Sequence, residues 1–189
     1  MNLIVVSDIF GKTASLNEFA AQLSSSYSEI IVIDPYGGQN MQFGNEENAY
    51  QYFQQNCGIE QLTEQVEKGI KKAKEAVDII GFSVGGTSAW EISGKDVSKS
   101  IGKIVCFYGS RIREKTNISP QFSTTLVFPA FEKSFELEPV IRKVENKQNV
   151  EVVRTSYLHG FMNRESKKYS EPGYKYFSSW LAKSSLTIK

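Results

Sequence analysis

A serine between glycines is the first feature of the sequence that could do covalent chemistry. Ser83 lies at the centre of G-F-S-V-G, which ends at Gly85, and Gly86 follows. This G-x-S-x-G spacing is typical of a nucleophile elbow, a strand-to-helix turn so tight that larger neighbours would clash. A helix that begins at such a turn directs unpaired N–H groups towards it, so the backbone N–H of Val84 is predicted to stabilise an oxyanion.

The base that such a serine needs is predicted at His159. A serine hydroxyl is a weak nucleophile until a base takes its proton, and the sequence contains 1 histidine. His159 comes shortly after the last predicted strand and later in the chain than Ser83. We therefore expect the imidazole and the hydroxyl to meet at one edge of a sheet. A surface histidine without a catalytic role is the alternative interpretation.

Six short apolar runs rich in Val and Ile predict the strands that would position these residues. The runs are residues 3–6, 30–33, 77–80, 104–107, 126–128 and 150–153. Their composition is typical of strands that are buried on both faces. Amphipathic stripes between them predict helices, including one from 85 to about 92 and one within 37–58. Ser15 and Glu18 are predicted to form a capping box at the first helix.

Alternation of strands and helices predicts a mostly parallel six-stranded sheet with helices on both faces, in a single domain over residues 1–189. Ligands of such sheets bind beyond the carboxyl ends of the strands, where the strand order reverses. Both Ser83 and His159 follow strands, so the site is expected at that edge.

Composition excludes several classes of protein. The 189 residues include 22 Lys and Arg against 21 Asp and Glu, so a basic surface for nucleic acid or an anionic membrane is not expected. Cys57 and Cys106 have no partners at metal-ligand spacing, which predicts free thiols, no metal and no cofactor. With neither a signal peptide nor a window of about 18 apolar residues, the protein is expected in the cytoplasm. The oligomeric state stays open.

Four segments, in chain order, resemble the dienelactone hydrolase family of α/β-hydrolases. They are residues 5–11 (the family's E-I-F-G), 34–38 (D-L-Y-G-G), 81–86 (G-x-C-x-G-G) and 159–161 (H-G-F). The resemblance implies a three-layer α/β-hydrolase-like fold that lacks the N-terminal hairpin. It also implies hydrolysis of small carboxylic esters or lactones through an acyl-enzyme. Serine in place of the family's cysteine suggests general esterase chemistry.

Further roles follow from the resemblance alone. Ile9 would supply the second oxyanion N–H, and Asp8 replaces a glutamate that touches the resting nucleophile. The family's triad aspartate falls on Ser134, so the acid is either Glu132, whose side chain is longer, or Glu136, or absent. Loss of the acid would lower turnover by about 10⁴-fold.

The residues around the motifs predict the substrate pocket. Five aromatic residues are expected to line a small apolar cleft for an ester, lactone or thioester: Phe10, Tyr36, Phe82, Tyr108 and Phe161. Arg164 is a candidate for binding a substrate carboxylate, although the family's position matches Asn163. Two alternatives remain: a catalytically weakened protein that binds a small ligand or a partner, and an acyltransferase or thioesterase that uses the same site.

Overall fold

The computed structural model describes residues 1–97 and 100–184, so the last residues of the predicted 1–189 domain lie outside the described part. The strands are β1 Asn2–Val6, β2 Glu29–Ile33, β3 Val77–Phe82, β4 Ile101–Phe107, β5 Ser123–Phe128 and β6 Val150–Arg154. The helices are α1 Ala14–Gln22, α2 Glu46–Asn56, α3 Gly58–Lys72, α4 Val84–Ser93, α5 Leu137–Val144 and α6 Glu171–Ser184. Short 3₁₀ helices cover Ser24–Ser26 and Ser110–Glu114.

The strands form one open sheet in the order β2-β1-β3-β4-β5-β6, and each of the five pairings is parallel. The chain runs from β1 to β2 at one edge and then crosses to the other side of β1 to form β3. The strand order therefore reverses between β1 and β3. The predicted fold class is confirmed, and the carboxyl ends of β1 and β3 mark the expected place of a site.

Two hydrophobic cores lie on opposite faces of the sheet, because alternate residues of each central strand point to opposite sides. On one face, Ile4, Ile79 and Ile104 pack against α2, α3, α4 and α5. On the other face, Val5 and Ile80 belong to the core that includes α1 and α6. The sheet and the two helical layers make the three-layer arrangement.

The edge strands differ from the sequence-based prediction. The central strands β1 and β3 are buried throughout, whereas β2 and β6 are half-buried or exposed at most positions. The prediction that every strand is buried on both faces is wrong for these two. Each lies at an edge, where one side has no neighbouring strand.

The start of α1 also differs. The N-cap is Thr13, whose Oγ1 accepts a hydrogen bond from the N–H of Leu16 at 3.2 Å. Ser15 lies inside the first turn, and Glu18 pairs instead with Arg164 at 2.6 Å. The predicted capping box is therefore wrong, because the helix begins earlier and a distant cation binds the glutamate.

No helix in residues 1–97 and 100–184 combines the length and the apolar character that a membrane crossing requires.

Candidate active site

Ser83 lies in a strained turn between β3 and α4. Its backbone adopts φ 51° and ψ −111°, a region that residues with a side chain rarely occupy. Its N–H donates to the carbonyl of Phe107 at 2.9 Å, and its own carbonyl accepts from the N–H of Thr87 at 2.9 Å. The strand pairing and the first helical hydrogen bond hold the turn from both sides. The side chain is therefore fixed at the carboxyl edge of the sheet.

The glycines around Ser83 make room for this turn. A Cβ atom at Gly81 would collide with the backbone of Gly85, and one at Gly85 would collide with the carbonyl oxygen of Ser7. At Gly86, a Cβ would lie 2.9 Å from the carbonyl oxygen of Phe107. The G-x-S-x-G-G pattern thus reflects how closely the elbow packs against the ends of β1 and β4.

Ser83, His159 and Glu132 form a hydrogen-bonded chain. The Oγ of Ser83 lies 3.0 Å from Nε2 of His159, and Nδ1 of His159 lies 2.6 Å from Oε1 of Glu132. An ionised carboxylate only accepts hydrogen bonds, so it places the ring proton on Nδ1 and leaves the lone pair of Nε2 facing the serine hydroxyl. The glutamate side chain is 10% exposed and the imidazole 25% exposed. The arrangement suits proton transfer from serine to imidazole.

Two loops bring Glu132 to the imidazole. The backbone N–H of Ala130 donates to the carbonyl of Tyr157 at 2.7 Å, which joins the loop after β5 to the loop that carries His159. Ser134 and Glu136 are exposed further along the same loop. Of the alternatives left open by the sequence, Glu132 is the residue that the structure places on Nδ1.

The peptide that carries the N–H of Ile9 is held through its carbonyl. This carbonyl belongs to Asp8, and it accepts hydrogen bonds from the hydroxyl of Ser7 at 3.0 Å and from the N–H of Gly11 at 3.1 Å. Because a peptide group is planar, fixing the carbonyl also fixes the direction of the N–H. Among the described residues, neither this N–H nor that of Val84 has a hydrogen-bond acceptor.

The next peptide of the same loop is fixed at both ends. The hydroxyl of Tyr36 donates to the carbonyl of Ile9 at 2.7 Å, and the N–H of Phe10 donates to Oδ1 of Asp8 at 2.9 Å. Tyr36 comes from the loop after β2, so it ties two neighbouring loops at the carboxyl edge together. This hydrogen bond explains why position 36 carries a tyrosine.

The contacts of Asp8 differ from those that the resemblance implies. Its second oxygen accepts from the side-chain amide of Asn163 at 2.6 Å, and the structure describes no hydrogen bond between Asp8 and Ser83. The side chain is 8% exposed. Burial raises the pKa of this carboxyl, and the hydrogen bonds from Asn163 and Phe10 oppose that rise only in part. The shorter side chain therefore joins the first-strand loop to the histidine loop and makes no hydrogen bond to the nucleophile.

Two cavities lie beside the hydrogen-bonded chain. An open cleft of about 470 Å³ has His159, Glu132 and Ile9 in its wall. A small cavity of about 20 Å³ lies beside Asp8 and the start of α1, with Phe82 and Tyr108 in its lining. The small cavity has room for about one water molecule, so the open cleft is the one that can accept a substrate.

The five aromatic residues predicted for the pocket have different roles. Phe82 and Tyr108 line the small cavity, and the centre of the Tyr108 ring lies 5.0 Å from the centre of the imidazole ring. Phe161 is fully buried in the core with α6, and Phe10 is buried outside both cavities. The prediction that these five residues line the substrate cleft is wrong. Phe82 and Tyr108 line only the small cavity, Phe161 packs in the core, and the hydroxyl of Tyr36 is used in a hydrogen bond.

Arg164 does not face the cleft. Its guanidinium binds Glu18 at 2.6 Å and lies 5.3 Å from the centre of the Tyr174 ring.

Residues that the sequence did not single out form much of the cleft wall: Glu46, Glu47, Tyr50, Phe131, Lys133, Leu158 and Lys168. No sequence motif marks them, because they come from α2 and from the two loops that follow β5 and β6. Within the described ranges, no group of three or more His, Cys, Asp or Glu residues is placed to hold a metal ion.

The fold and the geometry of this site define an α/β-hydrolase. Residues 2–183 match the model of the dienelactone hydrolase family, and the chain belongs to that family as one of its hydrolases. An uncharacterized protein of Bacillus subtilis (strain 168), YczH, is 30% identical over 169 residues, which cover 87% of this chain and 82% of that protein.

Solved structures share the fold at low identity. A protein of Klebsiella pneumoniae, provisionally named a dienelactone hydrolase, is 14% identical with a TM-score of 0.75 and covers 99% of this chain and 87% of its own. A dienelactone hydrolase-like promiscuous phosphotriesterase from metagenomic libraries is 14% identical with a TM-score of 0.70. The match covers 99% of this chain and 86% of that protein. At these identities the likeness concerns the fold.

Proposed function

We propose that the protein is a serine hydrolase that cleaves small carboxylic esters or lactones through an acyl-enzyme. The observation that carries the proposal is the hydrogen-bonded chain from Ser83 through His159 to Glu132, with heavy-atom distances of 3.0 and 2.6 Å. Nucleophile, base and orienting carboxylate are the three groups that acyl transfer needs, and the base and the carboxylate line an open cleft.

Acylation begins when Oγ of Ser83 attacks the carbonyl carbon of the substrate. Nε2 of His159 takes the hydroxyl proton as the Oγ–C bond forms, and the carbonyl oxygen gains the negative charge. The unpaired N–H groups of Val84 and Ile9 stabilise this oxyanion, and the second of them is held in place by the hydrogen bonds to the Asp8 carbonyl.

Collapse of the tetrahedral intermediate breaks the bond to the leaving oxygen. The imidazolium returns its proton to that oxygen, and the alcohol departs. Water then enters the open cleft, loses a proton to His159 and attacks the acyl group, so that Ser83 is regenerated and a carboxylic acid is released. During both steps the charge of Glu132 stabilises the imidazolium. A thioester can follow the same path, with a thiol as the leaving group.

A catalytically weakened binding protein is the alternative that the sequence leaves open. The uncharged Ser134 at the position of the family's acid supports it. A carboxylate on Nδ1 of His159 removes that support, because Glu132 can do the work of the missing aspartate. We therefore favour the enzyme.

Rapid mixing with p-nitrophenyl acetate tests the proposal. The native protein is expected to release a burst of p-nitrophenol close to one equivalent, followed by a slower steady state. Ser83→Ala and His159→Ala should show no burst. Ser179→Ala, which removes an exposed hydroxyl on α6, is the matched control and should behave as the native protein. Hydrolysis by Ser83→Ala at the native rate would reject a serine mechanism.

A further inference from the structure

We infer that the cleft beside His159 selects neutral esters with an apolar acyl chain of a few carbons and disfavours esters that carry a carboxylate. The inference rests on the proposed function, since it names the substrate class of the same site. It is carried by the residues that form the cleft wall.

Three exposed, largely apolar side chains line the same cleft as the imidazole. Tyr50 of α2 is 38% exposed, Phe131 is 53% exposed and Leu158 is 37% exposed, and all three line the same cleft. Phe131 precedes Glu132 by one residue, and Leu158 precedes His159 by one. The exposed apolar surface therefore lies directly beside the reacting groups, where an acyl chain would remove it from water.

The charged groups of the cleft wall disfavour an anion. Glu46 and Glu47 line it at the start of α2, in addition to Glu132. Burial opposes ionisation of Glu46, but hydrogen bonds from Ser166 and Lys168 outweigh it and lower the pKa of this carboxyl. Glu46 is therefore ionised at neutral pH, and the wall carries three carboxylates, Glu46, Glu47 and Glu132, against two ammonium groups, Lys133 and Lys168.

The nearby cations are paired with carboxylates or exposed to water. The ammonium of Lys168 binds Oε2 of Glu46 at 3.1 Å, and Arg164 binds Glu18 away from the cleft. Lys133 and Glu47 are both exposed to water, which screens the two charges alike. The wall therefore offers no buried, unpaired cation of the kind that holds a substrate carboxylate.

The size of the cleft sets the length of the acyl group that it can accept. A volume of about 470 Å³ is within the range of small-molecule sites and exceeds what an acetyl group fills. Each methylene placed against apolar surface should raise kcat/KM by about threefold, because it is removed from water in the transition state. We expect p-nitrophenyl butyrate to exceed p-nitrophenyl acetate by about tenfold.

The first experiment measures this ratio in variants of the apolar wall. Phe131→Ala combined with Leu158→Ala should lower the butyrate-to-acetate ratio to about twofold. Tyr176→Ala removes a 62% exposed aromatic side chain on α6 and serves as the matched control, with an unchanged ratio. A native butyrate-to-acetate ratio near one would overturn the inference.

The second experiment compares two esters of equal length. In p-nitrophenyl hemisuccinate a carboxylate replaces the terminal methyl of the butyrate ester. We expect its kcat/KM to be lower by about tenfold at low salt, and Glu47→Gln to recover about threefold of that difference. Glu64→Gln, an exposed change on α3, is the control and should recover none. Equal rates for the two esters in the native protein would overturn the inference.

Failure of the inference and failure of the proposed function look different. If acetate hydrolysis depends on Ser83 but chain length and charge have no effect, the enzyme stands and the substrate class is wrong. If no ester is hydrolysed in a Ser83-dependent manner, both fail together.

Discussion

Replacing the carboxylate of Glu132 by an amide tests the hydrogen-bonded chain most sharply. Glu132→Gln keeps the size of the side chain, so the two loops that meet at Ala130 and Tyr157 should keep their packing. What changes is the partner of the imidazole. A side-chain amide facing Nδ1 can donate a hydrogen bond, which favours the ring tautomer that carries its proton on Nε2.

The size of the effect follows from this geometry. With its proton on Nε2, the imidazole points an N–H at the oxygen of Ser83 and cannot accept the hydroxyl proton across the 3.0 Å contact. The charge that stabilises the imidazolium is lost as well, from a side chain that is only 10% exposed. We expect kcat to fall by about 10⁴-fold, which corresponds to about 5 kcal/mol.

The assay is steady-state hydrolysis of p-nitrophenyl butyrate, with circular dichroism to show that the variant is folded. Glu136→Gln makes the same chemical change on the same loop at an exposed position, and it should keep native activity. The reasoning is refuted if the two variants lose activity equally, or if Glu132→Gln loses less than about tenfold.

Three further predictions concern the support of the site. Tyr36→Phe frees the carbonyl of Ile9 and should lower kcat by about fivefold with KM unchanged, and an equal change in both constants would argue against a positioning role. Ser83→Gly should be more stable to urea than Ser83→Ala by about 1 kcal/mol, because glycine adopts the positive φ without strain, and equal midpoints would contradict this. Burial raises the pKa of Asp8 above 3.8, so the folded state keeps this proton to higher pH than the unfolded chain does. Its contribution to the free energy of unfolding is therefore fully present below about pH 4 and is lost as the pH rises through the folded pKa. The free energy of unfolding of Asp8→Asn should not show this loss as the pH rises. If the difference in free energy of unfolding between the native protein and the variant stays constant from about pH 4 to 7, the prediction is contradicted.

The sequence is sufficient to predict six strands in a parallel sheet with helices on both faces, although not the order of the strands. Runs such as residues 3–6 are continuous apolar segments, as is typical of strands buried in the centre of a parallel sheet. Ser83 could be singled out because the elbow needs glycines at fixed offsets. His159 could be singled out because the chain has 1 histidine. These features depend on local spacing or on composition, which are visible without coordinates.

Other features depend on contacts between distant parts of the chain. The choice between Glu132, Ser134 and Glu136 is set by how the loop after β5 packs on the loop after β6, which side-chain length alone does not determine. Asn163 reaches Asp8 from the far end of the chain. Phe161 follows the histidine closely, yet it packs inwards because α6 covers it. An aromatic residue after a strand can line a cleft or fill a core, and only the packing decides.

The central claim is that the hydroxyl of Ser83 is a nucleophile activated by His159. The most direct measurement is intact-protein and peptide mass spectrometry after brief exposure to a fluorophosphonate. We predict one adduct, on the peptide that contains Ser83, which disappears in Ser83→Ala and forms far more slowly in His159→Ala. An adduct on another residue, or a native protein that stays unmodified while it hydrolyses esters, would contradict the claim.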